Sequence, residues 1–275
     1  MQYLQNLHTH STFCDGRDTL TEMVEEAIAR GFHSIGFSKH SYMPFSAYFK
    51  TTREEAEENT RRYRAEAKRL KEVYRGRIEL FCGEEVEMFS EVDKKHYDYL
   101  IGSVHYLKID EEYVGFDRDV PTVDGIIKTY FGGDGMAFAR AYYAHLAELP
   151  SHNDFDIIGH FDLLVKNNDK GGFIDEDSKA YKDLGFEAIH ALKGKIPLFE
   201  VNTGTISRGY KKSPYPQMEF LKEFRENGFG ATISSDCHDK RVLDCYFEES
   251  KELLRAAGFK SRFVLTANGF EEVAL

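Results

Sequence analysis

Short apolar runs alternate with longer amphipathic segments along all 275 residues, and that alternation restricts the chain to repeated strand–helix units. The strand-like runs are Gln2–Leu7, Ser34–Ser38, Ile78–Val86, Tyr99–Val104, Ile157–His160, Leu198–Asn202 and Gly230–Ser235. Between them, 3.6-residue periodicity predicts helices. Glu22–Arg30 would be capped by Thr19 or Thr21 and stopped at Gly31, and the charge-laced Thr52–Tyr74 would stop at Gly76. Ala137–Leu149, Lys179–Leu192, Pro216–Asn227 and Glu248–Ala257 follow. Strands separated by helices pair in parallel and favour a barrel-like sheet. A further run, Arg262–Leu265, is a candidate for a small eighth strand. Lys108–Gly135 breaks the rhythm; its glycines and aspartates predict a long loop in the manner of a lid. With no Pro/Ser-rich linker and no repeat, the expectation is one domain over residues 1–275.

Composition narrows the function. A hydrophobic content of 41% supports a sizeable core, and a formal net charge of −11 argues against a nucleic-acid coat, which needs clustered Lys and Arg. No apolar stretch reaches the roughly 20 residues of a membrane span, and the first residues do not read as a signal peptide. Cys14, Cys82, Cys237 and Cys245 form no C-x-x-C pair, so free thiols and a cytoplasmic setting are expected.

The chemistry is carried by what stands at the ends of the runs. His8 and His10 follow the first, His40 the second, and Glu84-Glu85 ends the third. His105 closes the fourth, His160 the fifth, and Asp236 and His238 the seventh. In a parallel barrel these ends converge on one face. Because side chains alternate along an extended chain, His8 and His10 point the same way, as do Asp236 and His238. Imidazoles mixed with carboxylates suit Zn, Mn or Fe, and carboxylates can bridge two ions. His33, His96, His145, His152 and His190 lie in helices or connections and read as surface or packing residues.

The segments Leu7-His8-Thr9-His10-Ser11, Asp15-Gly16, His40, Gly83-Glu84-Glu85, Gly102-Ser103-Val104-His105, Gly159-His160-Phe161-Asp162 and Ser235-Asp236-Cys237-His238 together resemble the PHP (polymerase and histidinol phosphatase) family. Glu200-Val201-Asn202-Thr203-Gly204, with Arg208 shortly after, is similar to its histidinol-phosphatase branch. The resemblance implies a distorted (β/α)7 TIM-like barrel with two or three divalent ions (Zn, Mn or Fe) at its C-terminal strand ends. It carries the ligand role to His8, His10, Asp15, His40, Glu85, His105, His160, Asp236 and His238. Which carboxylate of Glu84-Glu85 bridges is open in the doublet itself; the family spacing points to Glu85. Lys39 stands where an acidic residue is more usual and predicts a more positive environment.

The implied reaction is hydrolysis of a small phosphate monoester, L-histidinol phosphate first, in histidine biosynthesis, with a metal-bridging hydroxide as nucleophile. Asp236 and His238 would serve catalysis, and Arg208 and Asn202 would bind substrate. Arg208 could grip phosphate oxygens as a bidentate fork, so its loss should weaken substrate binding without changing metal content. Lys39, Lys166 and Lys211 are possible helpers, and Asp162 is a candidate general acid. Competing readings are a PHP-type phosphodiesterase or nuclease, a phosphatase for another small ester, a non-catalytic metal-binding domain, and an amidohydrolase, whose usual bridging lysine has no counterpart here.

Overall fold

The computed structural model describes residues 3–46, 48 and 50–275. Gln2, where the first strand was expected to begin, lies outside the described residues. Seven strands form one parallel sheet: β1 (Gln5–Asn6), β2 (Ser34–His40), β3 (Glu79–Glu87), β4 (Tyr99–Ser103), β7 (Ile157–Ile158), β8 (Leu198–Asn202) and β9 (Gly230–Ser234), adjacent in that order. The sheet curls back on itself at its upper rim. Thr9 bridges Cys237 in parallel, and His10 N donates to the Cys237 carbonyl at 2.9 Å. Below that, Asn6 Nδ2 donates to Ser235 Oγ at 2.6 Å across the seam.

The helices are α1 (Leu20–Ala29), α2 (Arg53–Val73), α3 (Val120–Phe131), α4 (Gly135–Glu148), α5 (Asn168–Gly171), α6 (Lys179–Leu192), α7 (Gly204–Ser207), α8 (Met218–Glu226) and α9 (Phe247–Ala257). Local chemistry sets their starts. Thr19 and Glu22, and again Thr52 and Glu55, form reciprocal capping boxes that satisfy the first free N–H groups of α1 and α2. Buried apolar side chains of the longer helices pack on the outside of the sheet.

Two expectations fail. Lys108–Gly135 is not a loop: β5 (Tyr106–Ile109) and β6 (Glu112–Gly115) make an antiparallel hairpin, and α3 follows. The helix was hidden by Pro121 and Gly125, yet Pro121 sits in the first turn, where its missing N–H costs nothing. Asp119 caps the start by accepting from Thr122 N at 2.9 Å, and Gly132 ends the helix in the left-handed conformation. Arg262–Leu265 does not join the barrel either. It lies in β10 (Ser261–Thr266), which pairs antiparallel with β11 (Gly269–Ala274). The pairing of Thr266 with Gly269 leaves a two-residue connection, which only antiparallel strands can use.

That hairpin closes the barrel floor. Leu265 packs with Leu7, Phe81, Tyr99, Ile101, Ile157 and Leu198 in a second core inside the barrel. Gln5 Nε2 donates to the Leu265 carbonyl at 2.7 Å, and Leu265 N donates to Gln5 Oε1 at 2.8 Å. Tyr99 fills the centre, its hydroxyl donating to the carbonyls of Leu7 and Phe37. Gly36 and Gly83 face it, and a β-carbon on either would run into the Tyr99 side chain. Gly83→Ala should therefore lower stability by about 1–3 kcal/mol through overpacking, with Tyr99→Leu partly restoring it. Urea unfolding of both variants checks this, and an unchanged midpoint for Gly83→Ala would refute the packing account.

Candidate metal centre

Nine side chains from the strand ends and the segments just beyond them meet above the barrel. Glu85, fully buried on β3, lies at the centre. Its Oε2 lies 2.8 Å from His40 Nδ1, 3.4 Å from His8 Nε2 and 3.5 Å from His10 Nε2. Its Oε1 lies 2.9 Å from His160 Nε2 and 3.2 Å from His105 Nε2, and accepts from Ser103 Oγ at 2.9 Å. Asp236 Oδ1 lies 3.2 Å from His10 Nε2 and 3.6 Å from His8 Nε2. Asp15 Oδ1 sits between His238 Nε2 at 3.3 Å and His40 Nε2 at 3.5 Å. Asp236 reaches its position through a left-handed backbone, φ 45°, which costs a non-glycine residue about 1–3 kcal/mol and is held by its surroundings.

Donor atoms of eight of the nine fall into three overlapping groups: His10, Asp15, His40 and His238; His8, Glu85 and His160; and His8, His10 and Asp236, with the atoms of each within 4.8 Å of one another; His105 joins through Glu85. Inside them, His8 Nε2, His10 Nε2 and Glu85 Oε2 are buried without a hydrogen-bond partner. Orphaned polar atoms in a protein interior are costly, and lone pairs converging on shared points are what a divalent cation satisfies. The residues present fit such ions.

Two further carboxylates aim the histidines. Glu200 on β8 accepts from His8 Nδ1 at 3.0 Å, from His160 N at 2.9 Å and from Asn202 Nδ2 at 2.8 Å. Glu87 on β3 accepts from His105 N at 2.7 Å and from its Nδ1 at 3.0 Å. A carboxylate can only accept here, so in the neutral ring that a cation would bind Nδ1 carries the proton and the Nε2 lone pair faces the centre. Neither acid had been assigned a role from sequence. Alternation signals both: Glu87 lies two residues beyond Glu85, and Glu200 two before Asn202.

The electrostatics are those of many charges in a dry place. Burial works against the ionised form of Glu85, but His40, His8 and His105 outweigh it and hold the carboxyl well below the usual range. Burial together with the neighbouring His238 and His40 pushes His10 down to about 3. His105 resists burial and rises to about 10, because Glu85 and Glu87 flank it.

A cavity of about 490 Å³ opens from this cluster, walled by Phe45, Tyr106, Tyr113, Asp117, Lys166 and Tyr210 among others. Asp117 and Lys166 pair at 2.7 Å, and the Lys166 ammonium lies over the Tyr210 ring. Arg208 lines the cavity, but its fork is engaged: Nη1 donates to the Asp236 carbonyl at 2.7 Å and Nη2 to Asp236 Oδ2 at 2.8 Å. Its removal would therefore also free Asp236 from a contact that the expectation of unchanged metal content did not include.

Asn202 is not among the residues lining the cavity. It is fully buried, with Nδ2 given to Glu200 and Oδ1 accepting from Gly204 N at 2.9 Å. Asp162 also stays off the cavity, its Oδ2 accepting from Gln217 N at 3.1 Å. Lys39 faces away from the cluster and is neutralised by Glu84 at 2.7 Å, so the extra positive charge expected beside His40 is cancelled. Lys211 pairs with Glu176 and Asp169. Among the other histidines, His145 accepts from Lys108 N, and His190 pairs with Glu223 on the helical exterior.

Glu200→Gln and Glu87→Gln should each weaken retention of divalent metal about 10–100-fold, since each frees a histidine ring from its orienting acid. His145→Ala and His190→Ala should leave it unchanged. Elemental analysis after titration with chelator checks the contrast, and equal losses in both sets would refute it.

Residues 6–204 match the PHP domain family. Over 281 aligned residues the chain is 27% identical to a Schizosaccharomyces pombe protein named "Probable histidinol-phosphatase", covering 92% of this chain and 87% of that one. It is 25% identical over 252 residues to the histidinol-phosphatase of Bacillus subtilis, covering 84% and 92% respectively. A crystal structure of histidinol phosphate phosphatase from Lactococcus lactis, complexed with zinc, L-histidinol and phosphate, superposes with a TM-score of 0.72 at 20% identity, covering 98% of each chain. The seven-stranded parallel barrel is thus the TIM-like fold of that structure, and with more than half of its length matched, the chain belongs to the PHP domain family.

Proposed function

We propose that this chain is a metal-dependent phosphomonoesterase that hydrolyses L-histidinol phosphate to L-histidinol and phosphate in histidine biosynthesis, with His8, His10, Asp15, His40, Glu85, His105, His160, Asp236 and His238 as its metal ligands. The observation that carries the reading is the cluster around Glu85, open on one side to a cavity large enough for a small ester. The whole chain acts as one domain, because β9, beyond the residues matched to the family, extends the sheet beside β8, and Cys237 just after it bridges Thr9 just after β1. The histidinol-phosphatase names of the yeast and Bacillus relatives support the substrate, and the zinc, histidinol and phosphate of the Lactococcus structure support both metal and substrate. The unpaired Cys14, Cys82, Cys237 and Cys245 support a reducing, cytoplasmic setting, and among the described residues no helix is long and apolar enough to cross a membrane.

Bound divalent ions would supply an acidified water and positive charge for the phosphoryl oxygens. The chain's own residues do the rest. Glu85 keeps five imidazoles facing one point, and Glu200 and Glu87 fix the ring tautomers of His8 and His105. Arg208 holds Asp236 by its carbonyl and carboxylate while presenting guanidinium charge to the cavity, where a phosphate dianion would find it. The aromatic wall of Phe45, Tyr106 and Tyr113 shields the organic part of the substrate from water.

Protein purified without chelator should carry more than one transition-metal equivalent per chain, lose activity on chelation and regain it with Mn or Zn. A fully active metal-free preparation would refute the mechanism. Histidinol phosphate should be cleaved with far higher kcat/KM than a phosphodiester or DNA; the reverse preference would make the protein a PHP-type phosphodiesterase. Arg208→Ala should cost about 2–4 kcal/mol in kcat/KM, with Arg208→Lys intermediate because lysine keeps the charge and loses the fork. Steady-state kinetics with wild-type behaviour for Arg208→Ala would place phosphate recognition elsewhere.

A further inference from the structure

The doublet Glu84-Glu85 splits across the sheet. Successive side chains of a strand point to opposite faces, so while Glu85 enters the metal cluster, Glu84 emerges on the outer face of β3. The same holds on β2 for His40 and Lys39. The register pairs Lys39 with Glu84 and His40 with Glu85 in consecutive rungs. On the outer face Lys39 Nζ and a Glu84 carboxylate oxygen lie 2.7 Å apart, with the residues only 4% and 3% exposed. Lys39 Nζ also donates to the His40 carbonyl at 2.8 Å, at the residue where β2 ends. Around the pair, Tyr63 of α2 donates its hydroxyl to the Gly83 carbonyl at 2.7 Å, and the Lys39 ammonium lies 5.8 Å from the Tyr63 ring centroid.

We infer that Lys39 and Glu84 are positioning residues for the metal centre: a buried ion pair on the outside of the barrel that holds His40 and Glu85 in register on the inside. The inference rests on the metal-centre reading given above. A buried ion pair is a poor source of net stability, because desolvation offsets most of its attraction, and well-packed apolar replacements are often as stable. What it supplies is geometry. Strand ends fray, and the last rung here, which carries His40 and Glu85, cannot, since ligand atoms tolerate errors of only about 0.2 Å. Here the cross-strand attraction acts at the last rung but one, and the same ammonium holds the carbonyl of the last.

The test uses the full chain, the isosteric variant Glu84→Gln and the double variant Lys39→Met/Glu84→Leu, all loaded with manganese. Metal retained per chain is followed against EDTA by elemental analysis, kcat and KM are measured with histidinol phosphate, and the melting temperature is taken on chelated protein. Both variants should release metal at about tenfold lower EDTA, the scale seen for groups that orient ligands, with kcat reduced and KM within about twofold. The chelated double variant should melt within a few degrees of the parent, which separates positioning from stability. If the double variant fails to fold, Glu84→Gln decides alone, because it keeps the shape and a hydrogen bond to Lys39. Retention curves and kcat equal to the parent's would overturn the pair's role while leaving the metal centre standing. A parent chain that retains no manganese would overturn the metal centre, and the pair's role with it.

Discussion

One buried carboxylate organises the upper half of this barrel. Glu85 has five imidazoles within 3.5 Å, from segments spread between residues 8 and 160. A single negative charge cannot balance so many potential cations in a dry interior, where unpaired polar groups cost several kcal/mol each. The fold answers with acids at different depths: Asp236 and Asp15 beside the cluster, Glu200 and Glu87 behind it. The inner face of each strand end has thereby been committed to polar chemistry, and cohesion must come from elsewhere. It comes from the helix-to-sheet layer outside and the small apolar core at the floor, to which Leu265 contributes.

Strand alternation explains how one short sequence serves two purposes. From Gly83 to Glu87, every second residue faces the barrel axis. Gly83 clears space for Tyr99, Glu85 gathers the histidines, and Glu87 supports His105. The residues between them look outward, where Glu84 meets Lys39 and Val86 joins the outer core. A shift of one residue would exchange a metal-facing carboxylate for a lysine-paired one, so register here is a chemical requirement as much as a packing one.

Much of this was legible in the sequence because strands announce themselves by short apolar runs, and because nothing but a shared site explains a histidine or acid at the end of nearly every run. Leu198–Asn202 and Lys179–Leu192 have the boundaries expected of them. What escaped did so for physical reasons. Helix α3 was masked by a proline and a glycine whose cost depends on position, which composition does not reveal. The strand at Arg262–Leu265 had strand character, but its partner was decided by a two-residue turn. Asn202 and Asp162 looked available because they stand at or just beyond strand ends, yet Asn202 spends its amide on Glu200 and Gly204, and Asp162 is buried off the cavity with one oxygen accepting from Gln217 N and the other unpartnered. The engagement of Arg208 with Asp236 needed three dimensions, since 28 residues separate them.

The floor hairpin has a consequence for the order of assembly. Gln5 exchanges two hydrogen bonds with Leu265, a partner 260 residues away. During synthesis β1 leaves the ribosome long before β10, at about 5–20 residues per second. Leu198, the last residue of the apolar lining formed with Leu7, Phe81, Tyr99, Ile101 and Ile157, precedes Leu265 by 67 residues, so for about 3–13 seconds that lining has no cover from below. The nascent barrel is therefore a vessel without a base, most vulnerable to water and to neighbouring chains until its stopper arrives.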